Sequence, residues 1–166
     1  MEDPSIAGIA FERDEAKLTV TGVPDLPGTA SNVIGPVSEA GIEVDVIVQN
    51  AAADGTNDIT FTVKRGESEC AKSILDNIAS SLKARAVDLD NKICKVSLVG
   101  VGMRSHAGIA SKMFKALAQE GINIQIITTS EIKISVVIEE KYLELAVRAL
   151  HSTFKLGDAD GKHSST

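Results

Sequence analysis

Tryptophan is absent from the sequence, tyrosine occurs once, at Tyr142, and aromatic residues make up only 3% of the chain. A core must then be built from Val, Ile, Leu and Ala, and an apolar fraction of 43% is enough to build one. The same scarcity leaves no row of aromatic faces on which bases could stack. A positive excess is missing as well: the formal net charge is -6, whereas neutralising phosphates needs a basic face, so no nucleic-acid partner is expected. No apolar run approaches the roughly 18 residues of a membrane-spanning helix, so no membrane partner is expected either. Met1-Glu2-Asp3-Pro4 is acidic where a secretory leader begins positive and apolar, which points to a cytoplasmic protein.

Cysteine is scarce too. Cys70 and Cys94 have no metal-ligand spacing and no neighbouring histidine, and both read as reduced structural residues. His106, His151 and His163 are too scattered for a metal or a triad. No glycine-rich phosphate loop with a following Lys-Ser is present. No catalytic residue, metal ligand or cofactor motif can be named, so the chain is not expected to be an enzyme by itself.

What the sequence does have is an internal repeat, and missing one misassigns a whole fold. Lys17-Leu18-Thr19-Val20-Thr21-Gly22-Val23 matches Lys95-Val96-Ser97-Leu98-Val99-Gly100-Val101. Pro27-Gly28-Thr29-Ala30-Ser31 matches Ala107-Gly108-Ile109-Ala110-Ser111, and Glu39-Ala40-Gly41-Ile42 matches Gln119-Glu120-Gly121-Ile122. The loop between the first two blocks is two residues longer in the second copy. A length of 166 residues suits two small domains.

The first copy reads as a strand over Lys17–Gly22, a helix over Gly28–Glu39 with apolar Ala30, Val33, Ile34 and Val37, and a strand over Glu43–Gln49. An Asp54-Gly55 turn, a strand over Asp58–Lys64, a helix over Glu69–Ser81 and a strand over Lys83–Leu89 follow. Gly41 stands where a helix C-terminus wants a left-handed residue. The second copy reads as strands over Cys94–Gly100, Asn123–Thr129 and Lys133–Ile138, with helices over Gly108–Gln119 and Lys141–Phe154. It lacks a fourth strand, and the apolar stretch of Ile6, Ile9 and Phe11 is either the spare one that would complete it or a loose N-terminal arm. The expected fold class is α+β: two ferredoxin-like βαββαβ domains, each an antiparallel four-stranded sheet with helices on one face. Expected bounds are 14–92 for the first domain, 93–157 plus the strand 5–13 for the second, and 158–166 for a disordered tail. The strands carry more apolar residues than one face would bury, so the second sheet face should be covered as well.

Both copies place a glycine-bearing loop between the first strand and the first helix. A helix N-terminus offers unpaired N–H groups and a positive dipole end, which suits a carboxylate, and glycine lets a ligand approach the backbone. Asp25 is placed either to receive an ammonium group or to cap the helix. Pro27-Gly28 serves either the pocket or a plain tight turn. Recurrence in both copies favours a ligand.

At these residues the sequence resembles the tandem ACT domains of the regulatory region of aspartate kinase, over about residues 5 to 157. Lys17 to Gly28, Val48-Gln49-Asn50 and Gly55-Thr56-Asn57-Asp58-Ile59-Thr60-Phe61 carry the resemblance in the first copy. Lys95 to His106 and Ile127-Thr128-Thr129-Ser130-Glu131-Ile132-Lys133-Ile134-Ser135 carry it in the second. The resemblance implies a feedback-inhibition module without its kinase domain. It would bind the free amino acids threonine and lysine, form a homodimer through its ACT domains, and work with an aspartate kinase catalytic domain or α subunit. It further implies a first, threonine-like pocket of Asp25, Pro27, Gly28, Thr29, Ala30 and Gln49, closed by Asn123 and Ile124 of an opposite copy. A second pocket would use Met103, Ser105, His106, Gly108 and Ile109, with Thr129, Ser130 and Glu131 nearby, closed by Val44 and Asp45. The family often has Pro where this chain has Ala107, which implies a softer loop there. Two other readings fit the same pattern: the small subunit of acetolactate synthase sensing valine, and a structural assembly module with empty pockets.

Overall fold

The computed structural model describes residues 5–101 and 107–155. In chain order the elements are β1 Ser5–Pro24, α1 Thr29–Glu39, β2 Val44–Ala51, β3 Thr56–Val63, α2 Ser68–Leu82, β4 Ala86–Val101, α3 Ala107–Gln119, β5 Ile126–Thr129, β6 Lys133–Glu139 and α4 Leu143–Phe154. Short 3₁₀ turns at Arg65–Glu67 and Glu140–Tyr142 lead into α2 and α4. The chain divides into two compact units, one of them Asp14–Asn91, the other made of residues up to Arg13 together with those from Lys92 onward.

In the Asp14–Asn91 unit the strand order is β2-β3-β1-β4, with β3 antiparallel to both β1 and β2. Alternation puts Leu18 and Val20 of β1 and Ile59, Phe61 and Val63 of β3 on the helix side, each fully buried. Val33 and Val37, one turn apart on α1, and Ala71, Leu75 and Leu82 on α2 close the core over them. Each fully buried side chain of this kind stabilises the fold by about 1.5–3 kcal/mol.

The other unit repeats the plan with the order β1-β4-β6-β5, and β6 is antiparallel to β4 and β5. Its core joins Cys94, Val96 and Leu98 of β4, Ile134, Val136 and Ile138 of β6, Ile109, Met113 and Leu117 of α3, and Leu143, Ala146 and Leu150 of α4. Ile9 of β1, 3% exposed, belongs to the same core, and Ile6 and Phe11 pack against it. The N-terminal stretch therefore supplies the fourth strand of this unit, and two α+β units of antiparallel sheet result. The face away from the helices is also dry here: Ile93, Ser97, Ser135 and Val137 are all buried.

Three expectations need correction. The stretch around Ile9 and the strand beginning at Lys17 are one strand, Ser5–Pro24. Nothing between them breaks an extended chain: Glu12 to Ala16 contains neither Gly nor Pro, and its charges only look like a linker. The same holds for β4, which runs unbroken through Asp90-Asn91. By contrast the strand expected over Asn123–Thr129 begins only at Ile126, because the ladder to β6 starts with the Gln125 N–H donating to the Val137 carbonyl (2.9 Å). The tail expected over 158–166 lies outside the described residues.

The helix ends follow the glycines. Gly41 and Gly121 have φ of +81° and +73°, and in both the next N–H, of Ile42 or Ile122, returns to the carbonyl of Val37 or Leu117. This left-handed stop ends α1 and α3 alike.

Candidate ligand site at the first strand–helix junction

Between Val20 and Val23 the β1–β3 register slips by one residue. The bulge is absorbed at Gly22, whose φ of +73° is a left-handed conformation that suits glycine. A Cβ added there would lie 2.9 Å from Nε of Arg85. The Gly22 N–H donates to Oδ1 of Asp58 (3.0 Å), which pins the bulge. The slip brings Asn57 opposite Val23. Asn57 is 1% exposed, and its Nδ2 donates to Oδ1 of Asp25 (2.9 Å). The Asp25 N–H donates to the Gly55 carbonyl (3.1 Å). Asp25 is thus held from two sides yet stays exposed to solvent.

Gly28 is the residue that opens α1, at φ 93°, and no side chain caps that end. Asp25 therefore does not cap the helix, because its carboxylate is engaged by the Asn57 amide instead. The Thr29 hydroxyl donates to the Pro24 carbonyl (2.9 Å), and the Thr29 N–H donates to the Leu26 carbonyl (3.2 Å). The first bond of the helix runs from the Asn32 N–H to the Gly28 carbonyl (3.0 Å). The N–H groups of Ala30 and Ser31 remain open at a helix end with no acidic residue in its first turn. That combination attracts a carboxylate. Pro27, Gly28 and Ala30 are exposed, whereas Thr29 is buried with its hydroxyl committed. Gln49 is exposed on β2, two residues before Ala51, which pairs with Asn57. Asp25, Pro27, Gly28, Thr29 and Ala30 therefore share one junction, and the ladder links Gln49 to it through β3.

The second junction differs. Met103, Ser105 and His106 lie outside the described residues. The β4–β6 register runs without a slip from Ile93 to Val99, and the Gly100 N–H donates to the backbone carbonyl of Ile132 (2.7 Å). In register, Ile132 stands where the first copy has Asn57, and Lys133 where it has Asp58. Helix α3 already includes Ala107 and Gly108, whose counterparts Pro27 and Gly28 precede α1, so Gly108 lies within the helix and not in a left-handed turn. Ile109, 7% exposed, belongs to the core beneath Met113, which leaves only its backbone for a ligand. Gly28 and Gly108 thus match in sequence but differ in conformation.

The remaining expected residues fall as follows. Val44 opens β2 half-buried against its own core, and Asp45 is exposed. Asn123 is exposed ahead of β5, and Ile124 packs against its own unit's core. Thr129, Ser130 and Glu131 are exposed at the β5–β6 turn, where the Ser130 N–H donates to the Lys133 carbonyl (2.8 Å).

Beside the first junction, Asp54 closes the β2–β3 turn. Its Oδ1 accepts from the Thr56 hydroxyl (2.6 Å) and N–H (3.1 Å), and its Oδ2 meets Nη2 of Arg85 (3.1 Å). The Thr56 bonds, helped by the Arg85 charge, hold its carboxyl below the usual carboxylate value. Elsewhere, a groove of about 420 Å³ is lined by Arg13, Lys92, Lys141, Leu143 and three glutamates, Glu139, Glu140 and Glu144. Its charges oppose one another and select no single sign of ligand. Among the described residues no group of His, Cys, Asp or Glu could hold a metal ion, and no helix is long and apolar enough to cross a membrane. Cys94 is buried and Cys70 exposed, both as free thiols.

Sequence reasoning missed Asn57 and Asp58 as site residues. The signal was available: Asn57 has the same strand parity as Ile59, Phe61 and Val63, and an amide in an inward position needs a partner.

A βαββαβ unit repeated in tandem is the plan of the ACT class, and the ACT domain family matches residues 96–154. At 52% identity the chain superposes on a structure of aspartokinase alpha and beta subunits with a TM-score of 0.86, covering 91% of this chain and 99% of that one. The ligand-free regulatory subunit of aspartate kinase from Thermus thermophilus superposes with a TM-score of 0.85 at 38% identity, over 90% of this chain and 99% of that one. An aspartate kinase of Pseudomonas fluorescens is 67% identical over 94% of this chain. The chain belongs to the aspartate kinase family, as the regulatory ACT region of such an enzyme. It spans 38% of the length of that Pseudomonas relative.

Proposed function

We propose that the chain senses end-product amino acids, threonine at the first junction and lysine with it or at a second pocket. Through them it feedback-inhibits the phosphorylation of aspartate that leads to lysine, threonine and methionine. The observation that carries this reading is the pairing, within one short junction, of an exposed and anchored Asp25 carboxylate with the uncapped N-terminus of α1. One suits the ammonium and the other the carboxylate of a free amino acid. Asn123 and Ile124 of an opposite copy would close this pocket, and Val44 and Asp45 a second one at Met103, Ser105, His106, Gly108, Ile109, Thr129, Ser130 and Glu131. The chain would act in the cytoplasm as a homodimer beside an aspartate kinase catalytic domain or α subunit. Membership of the aspartate kinase family removes the support for the valine-sensing alternative.

A ligand acts by favouring one packing of the copies, and only its differential affinity shifts that balance. A coupling of roughly 1–3 kcal/mol is enough to inhibit. Calorimetry and thermal melting with threonine and lysine, singly and together, test the reading. Saturation to about 100 times Kd should stabilise the chain by about 2.7 kcal/mol. Absence of both heat and melting shift with every combination removes the effector reading.

A further inference from the structure

We propose that Asn57 is the positioning residue of the first pocket: its buried amide fixes the Asp25 carboxylate so that Oδ2 meets the ammonium group of a free amino acid. The inference rests on the effector reading above and deepens it.

Asp25 lies on an exposed loop, and an exposed carboxylate turns freely about its side-chain bonds unless something holds it. Asn57 is 1% exposed and donates from Nδ2 to Oδ1 at 2.9 Å, so a buried residue of the strand ladder sets the direction of an exposed one. Oδ2 has no partner among the described residues. The choice of an amide matters. A Lys or Arg in that place would neutralise Asp25 and compete with an incoming ammonium, whereas a neutral donor orients the carboxylate and leaves its charge intact. The backbone is arranged around this contact. The bulge at Gly22, held by Asp58, is what brings Asn57 opposite Val23. In the second copy Ile132 occupies the corresponding place, 56% exposed. The first copy therefore carries a buried amide where the second carries an exposed isoleucine.

The test is calorimetry on the full chain with threonine and lysine. Asn57→Leu should weaken binding at the first pocket about tenfold or more, with the melting temperature of the ligand-free chain close to that of the parent. Unchanged affinity overturns the proposal. The ligand's ammonium supplies a readout that a merely structural role would not move: with its amino group acetylated, threonine should bind the parent and Asn57→Leu alike, and a tenfold gap that persists overturns the proposal. Should the leucine variant fail to fold, the parent chain still decides by NMR. The Asn57 side-chain amide signals should move with added ligand along the binding isotherm, and static signals overturn the assignment. A parent chain that binds neither amino acid defeats the effector reading itself, whereas a parent that binds with indifferent Asn57 variants defeats this inference alone.

Discussion

At the junction after β1, single residues have separable duties. Asp25 is read from sequence as either an ammonium acceptor or a helix cap, and both uses need a short carboxylate a few residues before a helix. The structure removes the capping use, because Gly28 opens α1 without a side-chain cap and Asp25 bonds to Asn57. Asp25→Ala should therefore weaken threonine binding about tenfold or more while the ligand-free melting temperature changes little. Calorimetry and melting on the same samples read both quantities, and loss of stability with intact binding contradicts the assignment. Asp54 gives a different, pH-borne outcome. Its folded-state carboxyl is held below the ordinary value of 3.8, first by the Thr56 hydroxyl and N–H and then by Arg85. A depressed folded pKa contributes stability that is present above the unfolded value and is lost as pH falls through the folded one. The melting temperature should drop on the acid side of 3.8 less steeply for Asp54→Asn than for the parent. Equal acid slopes would show that the turn contributes nothing to acid stability.

For the strands and helices, what was legible follows from periodicity. Leu18 and Val20 alternate, Val33 and Val37 recur one turn apart, and glycines mark the ends of α1 and α3; these are local signals, and the elements stand where they point. The bulge at Gly22 was not legible, because register depends on which residue of β3 lies opposite. The late start of β5 was hidden for the same reason. Nor does alternation tell what covers a second face. In both copies the face away from the helices carries a cross-strand hydroxyl pair, Thr19 with Thr60 (3.1 Å) and Ser97 with Ser135 (2.6 Å). The second pair is buried, Ser97 at 4% and Ser135 at 3% exposure. Removing one hydroxyl leaves the other dry and without its partner, so Ser135→Ala should cost about 1–3 kcal/mol, and adding Ser97→Ala should recover part of that loss. Urea unfolding of the parent, the two single variants and the double variant measures the coupling. Strict additivity would mean that the pair does not act as a unit.

Across the whole molecule, the repeat was legible because both copies share the strand-loop-glycine-helix order, and the spare apolar stretch at the N-terminus pointed to the sheet that lacked a strand. Its continuity with the strand that follows was not legible, since a charged stretch such as Glu12 to Glu15 reads equally as linker or as strand. The consequence is that the unit beginning at Lys92 depends on residues far ahead of it in sequence. Ile9 is 3% exposed among Val96, Leu98 and the α3 and α4 side chains of one core. Truncating it removes buried methyl groups and leaves a cavity, for which about 2–5 kcal/mol is the usual cost. The loss should be local. In Ile9→Ala, amide hydrogen exchange should quicken at Val96, Leu98, Ile134 and Val136, while Leu18, Val20, Ile59 and Phe61, which belong to the other core, keep their protection. Uniform quickening across both sets would instead make the chain a single cooperative block, and a ligand at the first junction would then stabilise every residue alike.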